Sequence, residues 1–183
     1  MTSMDKSRYA KVAEGVWVGN CSASTDLTFL ADADISAIIN LCGSSLQQVE
    51  DVDYFEYVLP DEELIESEFP RVLSKLESIS QYITMLRNNK RCVLISCNDG
   101  KNKCMIAAGY YLINVLKQQT NDVIWKLESL YFTPNEIQEE LAYNKKVEAF
   151  EEIDSKSFEL MNARKVNKCL TMASFKRILK IKK

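Results

Sequence analysis

Residues 93–104 read VLISCNDGKNKC, an apolar run that ends in Cys97 and passes into a short polar turn containing Gly100. The apolar half reads as an interior strand, and the segment from about Lys103 to Lys117, rich in Ala, Met, Ile and Leu, reads as a central helix. A strand, a cysteine, a polar loop and a helix start together make a shape suited to an oxyanion. Successive backbone N–H groups curl toward the ligand, and the helix N-terminus adds favourable potential. The same groups favour a thiolate nucleophile. A nucleotide P-loop is the competing reading of Gly100-Lys101, but its earlier glycine would fall on Ile95. Asn102 also stands where Ser or Thr should ligate magnesium, so that reading fails.

Working outward, Gly15 to Asn20 form a short strand bounded by glycines. Ser24, Thr25 and Asp26 are candidate N-caps of a brief helix carrying Leu27, Phe29 and Leu30. Ile35 to Leu41 form an apolar, interior strand, and Tyr54 to Leu59 form another that Pro60 stops. Ser67 opens a long helix with Phe69, Val72, Leu73, Leu76, Ile79, Ile83 and Leu86 at helical spacing, and Pro70 falls in its first turn, where proline is tolerated. Strands alternating with helices predict an α/β domain with a largely parallel sheet flanked by helices. Ligands of such sheets bind at the carboxyl ends of strands, and Cys97 stands at one.

The last third reads as helical. Asn121 is a candidate cap for a helix carrying Val123, Ile124, Leu127 and Leu130, and Thr133-Pro134 starts another. Residues 135–154 set Ile137, Leu141, Phe150 and Ile153 among many carboxylates. Residues 174–183 are basic and amphipathic, and read as a terminal helix burying Phe175, Ile178 and Leu179 with solvated lysines outside, in preference to a membrane-surface segment.

At 183 residues and 46% hydrophobic, the chain has the size of one packed domain spanning 1–183. Five glycines and three prolines leave no flexible linker. No apolar run approaches the roughly 20 residues of a membrane span, and the first residues lack the apolar core of a secretory signal. A net charge of −3 argues against nucleic-acid binding. The six cysteines lack C-x-x-C spacing and read as reduced thiols, which predicts a cytoplasmic protein, with the nucleus also open. The chain has no histidine. That excludes Ser-His-Asp and Cys-His catalytic units and any histidine-ligated metal, and no metal or cofactor is expected.

The stretch VLISCNDGKNKCMIAAGYYLI resembles the signature of cysteine-dependent protein tyrosine phosphatases, most closely the dual-specificity branch, whose pattern is His-Cys-x-x-Gly-x-x-Arg-Ser/Thr. GVWVGN, ISAIINL and YFEYVLPDEE before a long helix match the same family in order, and the terminal MASFKRIL resembles its final helix. The resemblance covers residues 10–132 well and 172–181 loosely, with residues 134–170 as a helical insertion. It implies a tyrosine-phosphatase-like fold with a phosphate-binding loop formed by Asn98, Asp99, Gly100, Lys101, Asn102, Lys103 and Cys104.

Position by position, the resemblance makes Cys97 the nucleophile and Gly100 the loop glycine. Ser96 replaces the histidine that helps order the loop, Lys103 replaces the phosphate-gripping arginine, and Cys104 replaces the hydroxyl that stabilises the thiolate. Asp99 adds negative charge to a loop meant for a dianion. Arginine holds two phosphoryl oxygens in a planar fork, whereas lysine is a point charge on a flexible stem. Rate should therefore suffer more than affinity. For the general acid, Glu63 lies at the matching distance from Pro60 and Asp61 is the nearest aspartate. A solvated acidic loop formed by Asp61, Glu62, Glu63 and Glu66 stands equally open.

These substitutions lead to an expected pseudophosphatase, with little or no turnover, that binds a phosphorylated or unmodified protein partner. The alternative is a slow cysteine-dependent phosphatase acting on phosphotyrosine or phosphoserine/threonine, with Lys103 standing in for arginine. Redox use of Cys97 and Cys104 is a third, minor expectation. The acidic insertion reads as a helical cover over the core, with a partner or dimer surface as the other options.

Overall fold

The structure, a computed structural model, describes residues 8–43, 46–59, 69–100 and 102–130. Five strands form one sheet: β1 (Tyr9–Ala13), β2 (Val16–Asn20), β3 (Ile35–Asn40), β4 (Asp53–Glu56) and β5 (Cys92–Cys97). Among the described residues four α-helices accompany them: α1 (Leu27–Asp32), α2 (Phe69–Asn88), α3 (Asn102–Asn114) and α4 (Thr120–Ser129). The strand order is β1-β2-β5-β3-β4, with β5 at the centre. β5 runs parallel to both β2 and β3, and β3 runs parallel to β4. Among the described residues, only the β1–β2 pair is antiparallel. The expected α/β architecture with a mostly parallel sheet is therefore the observed one.

Alternation along β5 sorts the core into two layers. Val93, Ile95 and Cys97 join a cluster with Val72, Leu76, Ile79, Ile83 and Leu86 of α2 and with α3 and α4. Leu94 points the other way, into a smaller cluster with Phe29 and Leu30 of α1 and with Ala23, Ile35 and Ile38. Tyr9, Trp17 and Phe29 extend that layer: the Tyr9 and Phe29 rings stack with centroids 3.6 Å apart, and Trp17 meets Phe29 edge-on. α3 is buried on every side from Lys103 to Leu112, as its near-continuous apolar sequence requires of a central helix.

At the sheet end remote from Cys97, Arg91 donates to Ser36 and pairs with Asp53 at 2.7 Å, tying the approach to β5 to β3 and β4. Asp26, one of the expected caps, accepts a bond from the backbone N–H of Phe29 at 3.1 Å and starts α1.

Four expectations are revised. β1 is a strand that the sequence did not announce; its Ala-rich pattern is weak, and pairing with β2 defines it. β4 stops at Glu56 instead of Leu59. Tyr57 N–H still reaches Asn40 O, but Val58 is 61% exposed, beyond the ladder. α3 ends at Asn114, three residues early, because the chain leaves the helix through Lys117, whose φ is +56°. α4 begins at Thr120, so Gln119 occupies the cap position and Asn121 lies in the first turn. The start of the long helix at Ser67, the stop at Pro60, the helix from Thr133-Pro134, the insertion at 134–170 and the basic segment at 174–183 lie outside the described residues. No helix among the described residues is long and apolar enough to cross a membrane.

Candidate active site

The loop after β5 is set by Gly100. Its φ is +72°, a left-handed conformation that suits glycine. A Cβ there would lie 2.8 Å from the backbone nitrogen of Asn20 and 2.9 Å from the carbonyl carbon of Gly19. The loop is therefore pressed against the end of β2, and its turn is closed by Gly100 N–H donating to Cys97 O at 3.3 Å. α3 begins two residues later, so its N-terminal amides lie beside the loop.

Ser96 anchors the base of the loop. It is fully buried, its hydroxyl donates to Asn20 O at 3.2 Å, and its carbonyl accepts from Leu41 N–H at 2.8 Å. One residue thus ties β5 to the ends of both flanking strands, to β2 through its side chain and to β3 through its backbone, and the side chain takes a share of the ordering that the resemblance assigns to histidine.

Cys97 is 1% exposed and closes the strand. Its thiol donates to Oδ1 of Asp99 at 3.4 Å, and the second oxygen of that carboxylate accepts from Asn102 Nδ2 at 3.2 Å. Asp99 therefore bridges the cysteine and the first residue of α3. Asn98 and Asp99 themselves are exposed. Lys103, 8% exposed and engaged with its surroundings, stands in the first turn of α3.

Cys104, next along, is fully buried and directs its thiol to Gly19 O at 3.5 Å. Burial first, then the neighbouring Cys97, hold the Cys104 thiol well above its ordinary pKa. It remains a protonated group that bonds a backbone carbonyl and also meets Cys97, in the place where the resemblance calls for a hydroxyl.

Two residues of the site were not anticipated. Cys21 follows β2 and Cys42 follows β3, and their sulfurs lie 2.8 Å apart, with both thiols free. Burial, then the contact with Cys21, push the Cys42 thiol up to about 12. Cys21 also donates to Asn98 Oδ1 at 3.6 Å, and Asn40 Oδ1 accepts from Cys42 N–H at 2.8 Å. The available signal was positional: both cysteines fall just past the carboxyl ends of strands, where the site of a parallel sheet is built.

Of the expected site residues, Cys97, Asn98, Asp99, Gly100, Asn102, Lys103 and Cys104 share one strand–loop–helix unit. Lys101 and the candidate acids Asp61 and Glu63 lie outside the described residues. Among the described residues no cluster of three or more cysteine, aspartate or glutamate side chains is arranged to hold a metal ion.

No protein-family model and no curated protein sequence matches the chain. Solved structures do. Human DUSP28 superposes with a TM-score of 0.61 at 14% identity, over 78% of this chain and 96% of its own. DUSP15 gives 0.56 at 20% identity over 87% and 97%. The human tyrosine phosphatase-like serine/threonine/tyrosine-interacting protein gives 0.53 at 18% identity over 75% and 99%. The α/β sheet and its helices are those of the dual-specificity phosphatase fold.

Proposed function

We propose that this chain is a pseudophosphatase: a dual-specificity-phosphatase-fold module that binds a phosphorylated or unmodified protein partner with little or no turnover. The observation that carries the reading is the hydrogen bond from the Cys97 thiol to the Asp99 carboxylate. A phosphoryl dianion approaching that sulfur meets the negative charge of the carboxylate bonded to it. The substitutions around it point the same way. Lys103 offers a point charge where bidentate grip of a developing transition state needs a planar fork. Cys104 spends its proton on Gly19 O. The likeness to a human protein described as tyrosine phosphatase-like and as interacting adds support at the level of fold.

A slow phosphatase working through Cys97 on phosphotyrosine or phosphoserine/threonine is the second reading. It is favoured by the retained turn at Gly100 and the adjoining N-terminus of α3, which keep backbone donors beside the sulfur.

An assay with an aryl phosphate on the wild type, Cys97→Ser, Lys103→Arg and Lys103→Arg/Cys104→Ser separates the two. The pseudophosphatase reading expects a silent wild type and activity that appears only when the arginine and the hydroxyl are restored. Wild-type turnover that Cys97→Ser abolishes would establish the slow enzyme instead.

A further inference from the structure

We propose that Cys21 and Cys42 form a redox-active dithiol beside the loop, closing to a disulfide when a peroxide oxidises the protein. β2 and β3 flank β5, and the chain beyond each strand end brings the two sulfurs to 2.8 Å. A disulfide needs about 2.05 Å, so the sulfurs have less than 1 Å to travel. Both backbones are already pinned: Ser24 Oγ donates to Cys21 O at 2.6 Å, and Cys42 N–H donates to Asn40 Oδ1 at 2.8 Å.

The order of steps follows from exposure. Cys42 is 7% exposed and Cys21 is half-buried, so a peroxide meets Cys21 first. The Cys21 sulfur attacks the O–O bond, becomes a sulfenic acid, and one water leaves. The Cys42 sulfur then attacks Cys21 Sγ and the S–S bond forms. The departing hydroxide takes the Cys42 proton and leaves as a second water. Two thiols lose two electrons in all, and one peroxide is reduced to two waters. Oxidation also removes the proton that Cys21 gives to Asn98 Oδ1, so the event is felt in the loop. Cys97 stays out of the bond because its thiol is engaged by Asp99.

The dithiol requires no anion in the loop, so its test stands apart from the phosphatase assay. Full-length protein is treated with hydrogen peroxide, blocked with an alkylating reagent, and cleaved at aspartate, since Asp26, Asp32 and Asp34 separate the two cysteines. Mass spectrometry is expected to find the Cys21 and Cys42 peptides linked, with the loss of two hydrogens, in the wild type and in Cys97→Ser. Cys21→Ser is expected to lack the link. A bond between Cys42 and Cys97 would overturn the proposal, as would Cys21 advancing to sulfinic acid while Cys42 remains alkylatable.

Discussion

The thiol of Cys97 lies 3.4 Å from Oδ1 of Asp99 and donates to it, while the other oxygen of the same carboxylate takes a hydrogen bond from Asn102. The loop thus sets a carboxylate beside the sulfur, where the proposed function would seat a phosphoryl group of like charge. Backbone donors that would turn toward a phosphoryl group coexist with a carboxylate that repels it. The balance between them is what a first mutation should read.

Asp99→Asn keeps the shape and one of the two acceptors but removes the charge. Because Asp99 is exposed and screened by water, the gain is modest: inorganic phosphate should bind roughly two- to fivefold more tightly. Calorimetric titration of wild type and variant at one ionic strength measures it. Equal affinities would mean that the carboxylate does not oppose the anion.

Gly100→Ala tests the loop as a structural element. The left-handed φ alone costs about 1 kcal/mol or more, and the new methyl would press on the backbone at Gly19 and Asn20. A loss of about 1–3 kcal/mol is expected from urea unfolding, together with loss of phosphate binding. A variant as stable as the wild type would show that the loop is not held against β2.

The sequence made some of this plain and hid the rest, for physical reasons. In α2, apolar residues recur at helical spacing, and Val72, Leu76, Ile79, Ile83 and Leu86 are all buried as that spacing demands. At β5 the run VLISC and the following Gly100 carry local signals of strand and turn that tertiary packing did not override. β1 had no such signal, since its pairing rests on β2 and its exposed Lys11 interrupts the apolar pattern. The Cys21–Cys42 contact was hidden because the two residues flank a strand that enters far later in the chain. The bond from Cys97 to Asp99 needed coordinates, because a two-residue separation says nothing about which way a carboxylate turns.

Core packing gives a calibrated stability prediction. Leu76 is fully buried between α2 and the sheet, and Leu76→Ala should cost about 2–5 kcal/mol through lost burial and the cavity left behind. Met85 on the same helix is 47% exposed, and Met85→Ala should stay within about 0.5 kcal/mol. Urea midpoints at pH 7 with a reductant compare the two. Similar losses at both positions would contradict the assignment of the α2 face that meets the sheet.

The raised Cys42 thiol makes stability pH-dependent in a defined direction. In the unfolded chain a cysteine ionises near 8.5, whereas burial and then the Cys21 contact hold Cys42 to about 12 in the folded protein. Below pH 8 both states carry the proton and the contribution is complete. Between those two values the unfolded state has lost the proton that the folded state keeps. Unfolding then releases a proton, and stability falls as pH rises, by at most about 1.4 kcal/mol per pH unit for this group. The useful quantity is the difference between wild type and Cys42→Ala, which isolates this group. Measured by urea unfolding under reducing conditions, the wild-type advantage should shrink steadily from pH 8 to pH 11. An advantage that stays constant across that range would mean that the Cys42 thiol is not buried as a protonated group beside Cys21.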